Sequence, residues 1–113
     1  MQMDVDDLEG GVTLIRLTGD LDIKGSVDID IRFAALTGAR KKIVVDMSKV
    51  GFLASIGIRT LLVGGKAVAR QGGKMVVLDP TDSVLKVLQT CGADTVLTIA
   101  HGTPDALSAV GAP

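Results

Sequence analysis

The sequence has few of the residues on which many binding and catalytic chemistries depend. Its 113 residues include one cysteine, one histidine, two phenylalanines and no tryptophan or tyrosine. A single cysteine rules out an internal disulfide and a cysteine-rich zinc site, and so few aromatic rings argue against base stacking or an aromatic cage. Twelve Lys+Arg against thirteen Asp+Glu give a net charge of −1, which offers no basic field to a phosphate backbone. We therefore expect no nucleic-acid partner. The single cysteine also predicts a reduced, cytoplasmic setting.

Long hydrophobic runs are also missing. The longest apolar stretch, residues 50–58, ends at Arg59 and is about half of the ~20 residues that a membrane span needs. The acidic start, residues 1–11, has neither the basic nor the apolar region of a signal peptide. We therefore expect no membrane segment. With 47% apolar and 22% charged residues, the chain is typical of a globular protein, and its length predicts a single domain over residues 1–113.

Hydrophobic periodicity predicts an α/β fold. Two alternating segments, 3–8 and 12–18, flank the turn Glu9-Gly10-Gly11 and predict an antiparallel hairpin. Apolar strands are predicted at 42–47, 74–79 and 95–99, and helices at 23–36, 55–71, from 80–82 to Gly92, and at 103–110. The order ββαβαβαβα predicts a largely parallel, mixed sheet with helices packed against it.

The segment 23–36 fits two periods, since residues 27–33 alternate as in a strand but also form helical stripes. We favour a helix, with Ser26 as its cap and Gly38 as its end. Its apolar residues fall into two stripes, Val27/Ile31/Ala34 and Ile29/Phe33/Leu36. The second stripe is hard to bury together with the first. We therefore expect an exposed apolar patch for docking or a dimer, unless the C-terminal helix covers it.

Side chains suited to catalysis are scarce. The pairs Gly64-Gly65 and Gly72-Gly73 lack the spacing of a nucleotide-binding loop, and we interpret them as a helix-packing site and a turn. His101 has no partner at metal-ligand spacing and is interpreted as a surface loop residue. Cys91 has no base beside it and is interpreted as a small buried hydrophobe. With no nucleophile–base pair, we expect no enzymatic activity and no cofactor.

Residues 48–59 are the most informative part of the chain. A loop at 48–54 leaves a buried strand, and Ser55 opens a helix, where its oxygen is expected to cap the amide of Gly57 or Ile58. Capping alone is one interpretation. The other is phosphorylation, because the free amides and positive dipole at a helix start stabilise a phosphate. The added charge would then prevent binding to any surface that includes this site.

Three blocks of sequence resemble a known family. They are TGDLD at 18–22, IVVDMSKVGF at 43–52 and FLASIGIRTLL at 52–62. Together they are similar to the STAS domain, and within it to the small anti-sigma factor antagonists, with a looser likeness continuing through residues 73–78 and 84–88. The likeness therefore covers nearly the whole chain.

The resemblance implies a non-enzymatic partner switch. The antagonist binds an anti-sigma factor that is also a serine kinase, which phosphorylates it and ends the complex, and a phosphatase resets the cycle. Ser55 falls on the phosphoacceptor. Ala54 replaces an acid that usually precedes it, and Ile56 replaces a small polar residue. The expected partner-binding surface comprises Asp20, Asp22, Lys24, Ser48, Ala54, Ile56, Gly57 and Arg59.

Two other functions remain open at this point. One is a binding module for a nucleotide or another anion at the same helix start. The other is a structural subunit of a larger STAS assembly, or a component paired with a transport ATPase, without phosphorylation. The lack of a basic or aromatic side chain placed for a phosphate or base favours a protein partner over a nucleotide, and a homodimer is a further alternative.

Overall fold

The computed structural model describes residues 1–111 and contains one five-stranded sheet in the order β1-β2-β3-β4-β5. The strands are β1 (Gln2–Leu8), β2 (Val12–Leu21), β3 (Lys42–Leu53), β4 (Lys74–Leu78) and β5 (Thr98–Ala100). β1 pairs antiparallel with β2 across a 3-10 turn, and the three remaining pairs are parallel. The predicted hairpin and mixed sheet are confirmed.

Four helices alternate with the strands in the predicted order. They are α1 (Ile23–Ala39), α2 (Ser55–Arg70), α3 (Asp82–Thr90) and α4 (Thr103–Ala109). The alternation of β3 separates two cores, because Ile43, Val45 and Met47 pack with α1, α2 and α3, whereas Val44 packs with α4. Three helices therefore cover one face of the sheet and α4 covers part of the other. No helix within residues 1–111 has the length and hydropathy that crossing a membrane requires.

Two strand boundaries differ from the prediction. The predicted loop at 48–54 is wrong, because β3 continues to Leu53 and pairs in parallel with the end of β2, where Leu21 lies opposite Leu53. The last strand begins at Thr98 rather than at residue 95, after a 3-10 turn. Polar residues and Gly51 made the end of β3 look like a loop, whereas a neighbouring strand supplies its hydrogen bonds.

The ends of α1 were also predicted incorrectly. Asp22, not Ser26, is the N-cap, and its carboxylate accepts the amide of Gly25 at 2.8 Å. The helix continues through Gly38 to Ala39. Ser26 lies one turn into the helix and is buried, and its Oγ has no hydrogen-bond partner in the described part of the chain. The helix that the ambiguous pattern favoured is therefore confirmed, with a different cap.

The expected exposed apolar patch on α1 is confirmed, but the exposed stripe is the first one and the buried stripe is the second. Ile29 and Phe33 are each 2% exposed, whereas Val27 is 72% and Ile31 is 85% exposed. Gly64 of α2 makes room for the phenyl ring, since a Cβ there would lie 2.6 Å from Cε2 of Phe33. The C-terminal helix does not cover the exposed stripe, because α4 packs on the other face of the sheet.

The structure settles other local predictions. The interpretation of Gly64 as a packing site is confirmed, and Gly72 has a φ of 77° in the predicted turn. His101 is exposed, as expected. Cys91 is exposed at the end of α3, so its interpretation as a buried hydrophobe is wrong.

Candidate functional site

The start of α2 lies directly at the carboxyl end of the parallel strands. The amide of Ala54 donates a hydrogen bond of 3.0 Å to the carbonyl oxygen of Leu21, the last residue of β2. The first bond of the helix then runs from the amide of Ile58 to the carbonyl oxygen of Ala54, at 3.1 Å. The carboxyl end of β2 therefore determines where the helix begins.

Ser55 is the first helical residue and not the N-cap, which corrects the prediction. The N-cap is Ala54, whose methyl group makes no capping bond. The Ser55 side chain is exposed, and its hydroxyl makes no hydrogen bond to any residue in 1–111. The amides of Ser55, Ile56 and Gly57 precede the first intrahelical bond and have no acceptor within the helix.

The electrostatics of this helix start favour an anion. The first turn of α2 contains no acidic side chain, although such residues are common there. The unpaired amides and the helix dipole together place partial positive charge beside Ser55. Arg59, one turn further along, is exposed and adds a full positive charge to the same helix. A negatively charged group on the Ser55 oxygen would therefore be stabilised by the helix itself.

Gly57 is buried and holds α2 against the sheet. A Cβ at this position would lie 2.7 Å from Cγ of Leu21 and 2.9 Å from Cδ1 of Leu53, and it would overlap the carbonyl oxygen of Leu21. Only glycine permits this approach. Gly57 therefore positions Ser55 and is not part of the exposed surface.

Two acidic residues lie at the end of β2, and they differ in exposure and in hydrogen bonding. Asp20 is exposed and pairs with Phe52 of β3. Its carboxylate lies next to Gly51, because a Cβ on that glycine would be 3.5 Å from Oδ1 of Asp20. Asp22 is half-buried, and its carboxylate is bound to the start of α1 as the cap described above. Lys24 follows in the first turn of α1 and is exposed. Capping was missed for Asp22, although an acidic residue just before a helix is the usual signal.

Ser48 lies elsewhere on the sheet. It is exposed on β3, and its amide donates to Oδ1 of Asp46 at 2.9 Å. It lines a depression of about 420 Å³ on the sheet face together with Asp4, Arg16 and Lys49. The structure therefore places Ser48 on the sheet face rather than at the start of α2.

Exposed apolar side chains flank Ser55. Phe52 is 54% and Ile56 is 39% exposed. The sequence prediction did not include Phe52 in the surface. An exposed hydroxyl with exposed apolar side chains close to it in the chain is typical of a surface that contacts another protein. Within residues 1–111, no three His, Cys, Asp or Glu side chains form a group able to hold a metal ion.

Comparison with known proteins gives consistent matches. A family model described as "Mlab, STAS domain" matches residues 5–99. The chain is similar to an anti-sigma factor antagonist from Mycobacterium paratuberculosis, with 23% identity, a TM-score of 0.86 and coverage of 96% of this chain and 92% of that one. It is also similar to an anti-sigma-factor antagonist (STAS) domain protein from Planctomyces limnophilus, with 25% identity, a TM-score of 0.80 and coverage of 96% and 97%.

A third similar structure is the phosphorylated form of the Bacillus cell fate determinant SpoIIAA. It is 22% identical, with a TM-score of 0.73 and coverage of 96% of this chain and 99% of that one. All three matches extend over nearly the whole of both chains. The fold predicted from the sequence blocks is therefore the fold of these proteins.

Proposed function

The chain belongs to the STAS domain family, and from that premise we propose that it is an anti-sigma factor antagonist. Its partner is an anti-sigma factor with serine kinase activity, which binds the surface around Ser55. Phosphorylation of Ser55 releases the partner, and a phosphatase restores binding. The proposal is supported by the similar structures, which include anti-sigma factor antagonists, and by the features of this chain described below.

One observation carries the proposal, namely the exposure of the Ser55 hydroxyl at the first position of α2. A kinase transfers a phosphoryl group only to an oxygen that it can reach in line with its nucleotide. The Ser55 oxygen makes no hydrogen bond with residues 1–111 that would first have to break. It is therefore available to a protein that contacts this end of the molecule.

The same position explains how one phosphate would control binding without unfolding the protein. A phosphoserine carries about −1.5 to −2 charges at neutral pH. In the unbound protein, the amides of Ser55, Ile56 and Gly57 and the helix dipole stabilise that charge. In the complex, the phosphate would have to be buried beside Phe52 and Ile56, where desolvation is costly. The folded state thus tolerates the modification, and the complex does not.

The proposed contact surface combines apolar and charged groups. Its exposed members are Asp20, Lys24, Phe52, Ser55, Ile56 and Arg59, and Ala54 is half-buried. Two further residues from the sequence prediction, Asp22 and Gly57, hold this surface in place through the cap of α1 and the packing of α2. We therefore assign them to positioning, and we place Ser48 outside the central contact.

The proposal is tested on protein purified from its native host. Intact-mass measurement is expected to show one added phosphate on part of the wild-type protein, and a kinase-type anti-sigma factor is expected to co-purify with the unmodified part. Ser55→Ala is expected to retain the partner and lose the phosphate. Co-purification of a transport ATPase, with no phosphate under any growth condition, would replace the proposal by the structural-subunit alternative.

A further inference from the structure

One face of α1 is apolar and exposed along three successive turns. Ile23, Val27 and Ile31 are 74%, 72% and 85% exposed. Residues four apart lie on the same face of a helix, so these side chains form one continuous stripe. Ala34 extends the stripe by a further turn and is also exposed. The core does not use these side chains, because Ile29 and Phe33 fill the space beneath α1.

The stripe continues into a groove between α1 and α2. The groove has a volume of about 400 Å³, with Ala34 on the α1 wall and Ile56 and Val63 on the α2 wall. Seven large apolar side chains are exposed in residues 1–111, and five of them belong to the stripe or the groove. Single exposed apolar residues are common on any protein, whereas a cluster of this kind marks an interaction surface. We call the stripe and the groove together the α1–α2 face.

The charged side chains on the α1–α2 face are self-complementary. Asp30 lies on the α1 wall and Arg59 on the α2 wall, and both are exposed. Neither takes part in the ion pairs found within residues 1–111, which are made by other side chains. The two walls of the groove therefore carry opposite charges that form no ion pair within residues 1–111.

The two residues also lie at similar levels along the groove. Helices α1 and α2 run in the same direction, since each follows one of two parallel strands. Phe33 of α1 lies against Gly64 of α2, and Asp30 and Arg59 each precede this contact by about one turn. A twofold axis along the groove would place α1 of one molecule over α2 of another. Asp30 of each copy would then face Arg59 of the other copy.

We propose that the α1–α2 face binds a second copy of this chain. The occupant follows from the charge pattern, because a second copy supplies both an acid for Arg59 and a base for Asp30 while covering the apolar stripe. One consequence rests on the proposed function: Ile56 and Arg59 belong to both surfaces, so the dimer and the partner complex exclude each other.

The first test measures the oligomeric state by sedimentation equilibrium over a series of concentrations. The wild-type protein is expected to form a dimer with a dissociation constant below about 1 mM, which corresponds to weak association. Val27→Asp is expected to weaken dimerisation at least about tenfold, because it places a charge in the apolar stripe. Val96→Asp is the matched control, since Val96 is 59% exposed and lies away from this face. A wild-type monomer at every concentration, or equal effects of the two variants, would overturn the proposal.

The second test exchanges the charges. Asp30→Arg alone and Arg59→Asp alone are each expected to weaken self-association about tenfold, because like charges then face each other twice. An equimolar mixture of the two variants is expected to form a heterodimer, since both contacts regain opposite charges. Failure of the mixture to associate would refute the twofold arrangement. These measurements need no kinase and no phosphate, so their result is independent of whether Ser55 is a phosphoacceptor.

Discussion

The backbone amide of Ala54 donates to the carbonyl oxygen of Leu21 at 3.0 Å, and this bond joins the start of α2 to the end of β2. It leaves Ala54 in the cap position and makes Ser55 the first residue of the helix. The Ser55 side chain therefore faces solvent next to three amides without helical acceptors. In the proposed function, partner binding and its control by phosphate would both depend on this placement.

Charge at Ser55 is expected to weaken partner binding strongly and leave the fold intact. Ser55→Asp should weaken binding to the cognate anti-sigma factor by at least about tenfold, because a carboxylate would be buried at the contact. The melting temperature should stay within a few degrees of the wild type, since an acidic residue in a first helical turn is favourable by about 0.3–1 kcal/mol. Calorimetry and thermal unfolding measure the two quantities.

The control for this prediction is Ser108→Asp, which adds the same charge to an exposed serine of α4, on the opposite face of the sheet. It should bind the partner as the wild type does. Equal affinities of Ser55→Asp and Ser55→Ala would remove phosphorylation control from the proposed function.

A methyl group at Gly57 is expected to separate α2 from the sheet. Gly57→Ala should lower the free energy of unfolding by about 2 kcal/mol, because the new Cβ would overlap the carbonyl oxygen of Leu21 and crowd Leu53. Gly38→Ala in α1 should instead raise it by about 0.5 kcal/mol, since a Cβ there meets nothing within 4 Å. Urea titration of both variants measures the difference, and a stabilised Gly57→Ala would contradict the packing described here.

The Asp22 carboxylate is expected to contribute to stability as a helix cap. Asp22→Ala should cost about 1 kcal/mol, because the amide of Gly25 loses its acceptor. Asp22→Asn should keep most of that stability, since asparagine caps as well as aspartate does. Chemical denaturation measures both changes. If Asp22→Asn folds normally but loses the partner, the carboxylate has a binding role in addition to the cap.

Removing the buried hydroxyl of Ser26 is expected to stabilise the protein. Its Oγ is buried without a partner in the described part of the chain, and such a group costs about 1–3 kcal/mol. Ser26→Ala should therefore raise the free energy of unfolding by about 1 kcal/mol. Ser108→Ala, in an exposed helical position, gives the part that comes from helix propensity alone. A destabilised Ser26→Ala would show that the hydroxyl has a partner in solution, such as a buried water.

The sequence was sufficient for the element order and for the approximate position of the site. Alternation along residues 43–47 and helical spacing after Ser55 depend on the covalent geometry of the chain itself. The family resemblance rested on contiguous residues and was likewise readable in the sequence. These features identified Ser55 as a residue at the junction of a strand and a helix.

The exact start of α2, the length of β3 and the exposed stripe of α1 were decided by tertiary structure. Ser55 is not the cap because Leu21, more than thirty residues earlier, binds the amide of Ala54. Val27 and Ile31 are exposed because Gly64, on another helix, leaves room for Phe33 instead. Local spacing shows which residues share a face, but which face is buried depends on the shapes of distant partners that only the folded chain brings together.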